Sequence, residues 1–118
     1  MEKEEIKRLL EEVKRKLGIN EELRVILQPM KRKIASVSLK SKTIRINKAI
    51  IHMLNEEQVR YILVHELIHF KLGHYSHDNS FMNELRQFYD ENEIETVERS
   101  ILGTIIAFNQ GKNRHHIL

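Results

Sequence analysis

The sequence predicts a single α+β domain: one helix, a small three-stranded sheet, then further helices to the end of the chain. Three observations lead to this. Apolar residues recur every three or four positions over residues 2–17, strand-like runs follow over 22–28, 34–40 and 43–47, the last two alternating, and helical spacing returns from Asn55 onward. With 118 residues, 41% of them hydrophobic, the chain can bury one compact core.

The first helix places Ile6, Leu9, Leu10, Val13 and Leu17 on one face, and Gly18 is its expected stop. Residues 22–28 read as a strand ended by Pro29. The basic run Lys31, Arg32, Lys33 reads as a solvated turn. Ala35, Val37 and Leu39 then alternate, as do Ile44 and Ile46, with Ser41 and Lys42 as a tight hairpin turn. Asn47 ends the sheet region, and a short helical piece is expected over 48–54. Asn55 and Gln58 have the spacing of a capping box, opening a helix to about Leu72 with Gly73 as its C-terminal cap. A polar loop over 74–80 runs into an amphipathic helix over 78–89, with Phe81, Leu85 and Phe88 on one face. Asp90 with Glu93 is expected to cap a last helix to about Phe108. Its stripe is Ile94, Val97, Ile101, Leu102, Ile105 and Phe108. The polar tail 109–118 contains His115 and His116.

Composition narrows the function classes. No cysteine is present, so no disulfide forms, and a reducing cytoplasmic location is expected. Residues Met1 to Glu5 show no basic cap leading into an apolar run, so no signal peptide is expected, and no stretch is long and apolar enough to span a membrane. The net charge of +3 is spread among acids, which argues against a nucleic-acid partner.

The chemistry concentrates at His65, Glu66, Leu67, Ile68, His69. Histidines four apart on a helix lie on the same side, so both imidazoles can reach one ion, and neutral imidazole is a good zinc ligand. Glu66, about 100° away around the axis, does not join that ligand pair, but it can take a proton from a water activated by the ion. A chance HExxH match in a chain of this composition has odds of about 5%. The surroundings sharpen it: Ile62, Leu63, Val64, Leu67, Ile68, Phe70 and Leu72 encircle this helix, which therefore has to be buried. Two histidines and a glutamate in such a helix need compensation, and a metal supplies it. The plain alternative is a surface His/Glu/His patch on an ordinary helix.

The run from Tyr61 to His69, placed after a hairpin and within a chain this small, resembles the active-site helix of the minigluzincins, small HExxH zinc metallopeptidases of the gluzincin clan. The resemblance covers most of the chain, although only HExxH is highly specific. It implies a minimal zincin scaffold with a buried active-site helix, a ligand-bearing helix and a C-terminal helix. It also implies Zn²⁺ as cofactor, peptide or protein as substrate, and latency through C-terminal segments. On that basis residues 1–90 form the catalytic domain, and 91–118 form a latency or homodimerisation segment. A catalytic zinc needs a third protein ligand. Asn83 and Glu84 resemble the Asn-Glu pair that carries the glutamate ligand in thermolysin-like enzymes, which makes Glu84 the first choice, although Phe88 stands where that family has an acid. Glu91 is second, in a segment resembling the E-x-x-A-D pattern of related peptidases, followed by Glu93, Glu95 and Glu98. Glu98 lies inside the last helix's apolar stripe and is expected to reach out to solvent. His74 and His77 are the histidine alternatives; His77 to Phe81 resembles the His-bearing segment of SprT-like zincins.

A substrate peptide is expected to add as a strand on the edge of the sheet, with His74, His77 or Tyr75 as donors to the oxyanion. The tail histidines His115 and His116 belong either to a disordered end or to an inhibitory one. Three functions compete: a peptidase made as a latent zymogen, a zinc-binding but inactive interaction module, and a SprT-like DNA-associated protease with a histidine third ligand.

Overall fold

The computed structural model describes residues 1–117, with side chains described to residue 110; His115 and His116 therefore lie outside the described side chains. Helix α1 (Lys3–Leu17) is followed by strands β1 (Arg24–Gln28), β2 (Ala35–Ser38) and β3 (Thr43–Asn47). A 3₁₀ turn at Ile51–Met53 leads into helices α2 (Glu56–Leu72), α3 (Asn79–Arg86) and α4 (Glu91–Ile117). The α+β class and the order of elements are those read from the sequence.

Local chemistry explains most boundaries. Gly18 ends α1 in the left-handed region at φ 73°, where glycine meets no Cβ penalty, and the Gly18 and Ile19 amides donate back to Arg15 and Lys14. Asn55 and Gln58 form the expected reciprocal capping box of α2, at 2.8 and 2.9 Å. Asp90 and Glu93 do the same for α4, at 3.0 and 2.8 Å. Helix α3 stops at Arg86, short of the expected residue 89, because its last turn tightens: the Gln87 and Phe88 amides bond three residues back, to Glu84 and Leu85. Helix α4 continues beyond the expected end at Phe108.

The sheet order is β1-β3-β2. β3, last in sequence, is central: it pairs antiparallel with β2 across the hairpin and parallel with β1. β2 is thus an edge strand. The turn residue Lys42 takes φ 52°, and its carbonyl accepts the Arg24 amide where β1 begins. Asn47 is buried, and its side chain clamps the approach to β2. It donates to the carbonyls of Met30 and Lys33 and accepts from the amides of Met30 and Ala49.

One core joins all layers. Ile6, Leu9, Leu10 and Val13 of α1 pack with Leu63, Val64, Leu67 and Ile68 of α2 and with Ile44 and Ile46 of β3. Each such side chain contributes about 1.5–3 kcal/mol when fully buried. Ile94 and Ile101 attach α4 to this core, whereas Leu102 and Ile106 remain 55% and 47% exposed.

Candidate metal centre

α2 carries His65 and His69 one turn apart toward its C-terminal end. Beyond Gly73, at φ 75°, the chain turns back and brings His77 beside them. The three rings form a nearly equilateral triangle, with centroids 4.9 Å (His65–His69), 5.0 Å (His65–His77) and 4.9 Å (His69–His77) apart. One nitrogen from each lies within 4.8 Å of the others, and the Nε2 atoms of His69 and His77 are 3.2 Å apart. Two ligand nitrogens on a tetrahedral zinc stand about 3.3 Å apart, given zinc–nitrogen bonds of about 2.0–2.1 Å. The donor set therefore fits such an ion.

The surroundings prepare the ligands. His69 is buried, with Nδ1 3.1 Å from the His74 carbonyl. With the proton on Nδ1 donated there, Nε2 is left with its lone pair toward the triangle. Burial pushes the His69 pKa down, and the nearby His65 pushes it the same way, against the opposing pull of Glu66. The neutral, metal-binding form is thereby favoured. Phe81 of α3 lies against all three rings, stacked on His69 at 4.7 Å and edge-on to His65 and His77 at 5.0 and 4.8 Å. Asp78 caps α3 by accepting the Phe81 amide, which fixes where Phe81 begins the helix. Its carboxyl is held below the usual range by the Ser80 hydroxyl and that amide.

Glu66 is mostly covered, with a side chain 13% exposed and a carboxylate oxygen 3.6 Å from His65 Nδ1. It lines two clefts. One, of about 580 Å³, runs along β2 past Ser36 and Val37 to the three histidines. The other, of about 370 Å³, lies between Ile34, Ile62 and the α4 residues Ile101 and Ile105. α4 is fastened beside this second cleft by Tyr61, whose hydroxyl donates to Glu98 at 2.8 Å, and by Gln58, which donates to Ser100 at 3.1 Å. Burial and the Glu98 carboxylate push the Tyr61 pKa up, so the hydroxyl keeps its proton.

The other candidates read from the sequence stand elsewhere. Glu84 pairs with Lys71 at 2.9 Å and is not among the residues grouped with the two motif histidines. Glu91 pairs with Arg86, Glu93 caps α4, Glu95 pairs with Arg99, and Glu98, exposed as expected, accepts from Tyr61. His74 accepts the Ser76 amide and faces Asp78. Sequence reasoning placed Phe81 in the core and did not see it as the floor under the imidazoles. Its position four residues after His77 was the available signal.

Comparison with known proteins agrees with this geometry. The family model described as YgjP-like, metallopeptidase domain, matches residues 2–98. An uncharacterised protein of Methanocaldococcus jannaschii, MJ0123, is 42% identical over 104 residues, which is 88% of this chain and 94% of that one. A second, from Aquifex aeolicus, is 43% identical over 83 residues, covering 70% of this chain and 74% of the other. Two solved structures share the fold. The metallopeptidase zymogen of M. jannaschii jannalysin has TM-score 0.80 and 42% identity, covering 85% of this chain and 96% of that one. The metallopeptidase zymogen of Pyrococcus abyssi abylysin has TM-score 0.78 and 35% identity, covering 83% and 92%. No helix among the described residues is long and apolar enough to cross a membrane. With three grouped histidines, a glutamate beside them and matches across most of its length, the chain belongs to the YgjP-like metallopeptidase family.

Proposed function

We propose that the protein is a zinc-dependent endopeptidase in which His65, His69 and His77 hold the metal and Glu66 is the general base. The single observation that carries this reading is the triangle of imidazoles with Glu66 at its rim, facing a groove along the edge strand β2. Zinc bound there would supply a Lewis acid and lower the pKa of water. Glu66 accepts a proton from the attacking water and returns it to the leaving amine. The β2 edge aligns the peptide. Histidine replaces glutamate as third ligand in this proposal because His77 reaches the other two rings, while Glu84 is neutralised by Lys71.

Latency is part of the proposal. Both solved relatives are described as zymogens, and here α4 flanks the cleft beside His65 and Glu66. Residues 91–118 then act as a removable cover, or as a dimer-forming arm that presents Leu102 and Ile106 to a second copy. A cytoplasmic location follows from the same reading of a cysteine-free chain. The test is zinc content and peptide cleavage measured on the full-length protein, on Glu66→Ala and on a chain ending near Asp90. One zinc per chain with Glu66-dependent cleavage, strongest in the trimmed protein, is the expected result. Stoichiometric zinc without cleavage in any folded form would instead support the inactive interaction module. A second reading uses the same donor set: a SprT-like DNA-associated protease would also take a histidine third ligand. Stimulation of cleavage by DNA would select it.

A further inference from the structure

The free edge of β2 is already partly occupied by the protein itself. The Asn47 amide donates to the Ile34 carbonyl at 2.7 Å, so in this antiparallel ladder residues 34, 36 and 38 bond to β3, and residues 35, 37 and 39 turn their peptide groups to the open side. Tyr75 meets them there. Its hydroxyl donates to the Val37 carbonyl at 2.7 Å and accepts the Leu39 amide at 3.3 Å. These are two of the groups that an added strand would use. Tyr75 comes from the loop between His69 and His77, and its ring lies 5.8 Å from that of His69. It is 56% exposed, so burial does not account for its position. The Ala35 peptide groups and the Val37 amide remain as the open part of the edge, beside the histidines in the β2 groove.

We propose that Tyr75 is a strand cap that sets the length of peptide the groove accepts. This rests on the peptidase reading and adds a specificity-determining residue to it. A bound peptide pairs with residues 35 to 37 and stops where the Tyr75 hydroxyl begins. Peptide beyond that point gains nothing from the edge unless the hydroxyl is displaced. Tyr75→Phe keeps the ring and releases both backbone groups.

The test compares Tyr75→Phe with the wild type, each also in a Glu66→Ala background for binding. The probe is an extended peptide rich in Val and Thr, together with versions lengthened at either end. In the wild type, lengthening at one end is expected to leave affinity and kcat/KM unchanged. In Tyr75→Phe the same lengthening is expected to improve both about tenfold, as two recovered hydrogen bonds allow. Amide hydrogen exchange at Leu39 gives a readout independent of catalysis. The amide is slowed in the wild type, faster in Tyr75→Phe, and slowed again in that variant by the long peptide only. The same length dependence in both proteins, or a Leu39 amide left unprotected by saturating long peptide in Tyr75→Phe, would overturn the proposal. Loss of the peptidase reading shows separately, as absence of Glu66-dependent cleavage, and leaves the exchange result to decide the role of Tyr75.

Discussion

Helices α2 and α4 are the two longest elements, and they are built on opposite plans. α2 is buried through most of its length; its exposed polar residues Glu56, Glu57 and Lys71 lie at its two ends, and His65, Glu66 and His69 share the turn that faces the clefts. α4 is longer, but among its described side chains only Ile94 and Ile101 are buried, and Leu102 and Ile106 face solvent. Under the proposed function the difference separates two tasks. A metal centre needs ligands that do not move, and the packing around α2 holds them. A cover has to come away without unfolding the rest, and α4 is held beside the cleft by the Tyr61 and Gln58 hydrogen bonds and by the apolar contacts of Ile94, Val97, Ile101 and Ile105.

The predictions test this division. The largest effect is expected from Glu66→Ala, which should lower peptide cleavage by roughly 10²–10⁴-fold with zinc content unchanged by elemental analysis. Next, His77→Ala should weaken zinc binding by at least about 100-fold in a competition titration, while Glu84→Ala leaves it unchanged. Equal zinc loss in both variants would restore Glu84 as a ligand. For stability, Leu67→Ala in α2, at a site with 0% exposure, should cost about 2–5 kcal/mol in denaturant unfolding. Leu102→Ala in α4 should cost less than about 0.5 kcal/mol. If the two costs are similar, α4 is part of the core and not a cover. Tyr61→Phe removes the hydrogen bond to Glu98, worth about 1 kcal/mol. It should speed amide exchange along α4 and raise cleavage by the full-length protein several-fold. The smallest effects belong to the caps. Asn55→Ala and Asp90→Ala each remove an N-terminal cap worth about 1 kcal/mol to its helix, but only the first should appear in full in the global unfolding of the domain.

What the sequence made legible was local. The capping boxes at Asn55 and Asp90, the hairpin between β2 and β3, and the buried HExxH helix all follow from spacings of a few residues. The central place of β3 was not legible, because its parallel partner β1 is distant in sequence and either neighbour suits its apolar alternation. The grouping at the metal centre turned on a similar matter. Glu84 and His77 are both close in sequence to the motif. The choice between them depends on the path of residues 73–78, set by a left-handed glycine, the His74 carbonyl on His69 and the Asp78 cap. Once Phe81 points at the imidazoles, Glu84 lies three residues further around α3, where it meets Lys71.

The central position of β3 has a consequence for biogenesis. α1 and β1 leave the ribosome before their partners: α1 packs against α2, and β1 pairs with β3. β1 can therefore pair once Asn47 has been made, whereas α1 gains the whole of its α2 partner only when residues near Leu72 have been made. Full docking of α1 is expected to coincide with completion of the helix that bears His65 and His69. A nascent chain has its three grouped histidines only after residue 77 has been made, so a product of stalled translation that ends before His77 is expected to be inert toward the peptides around it.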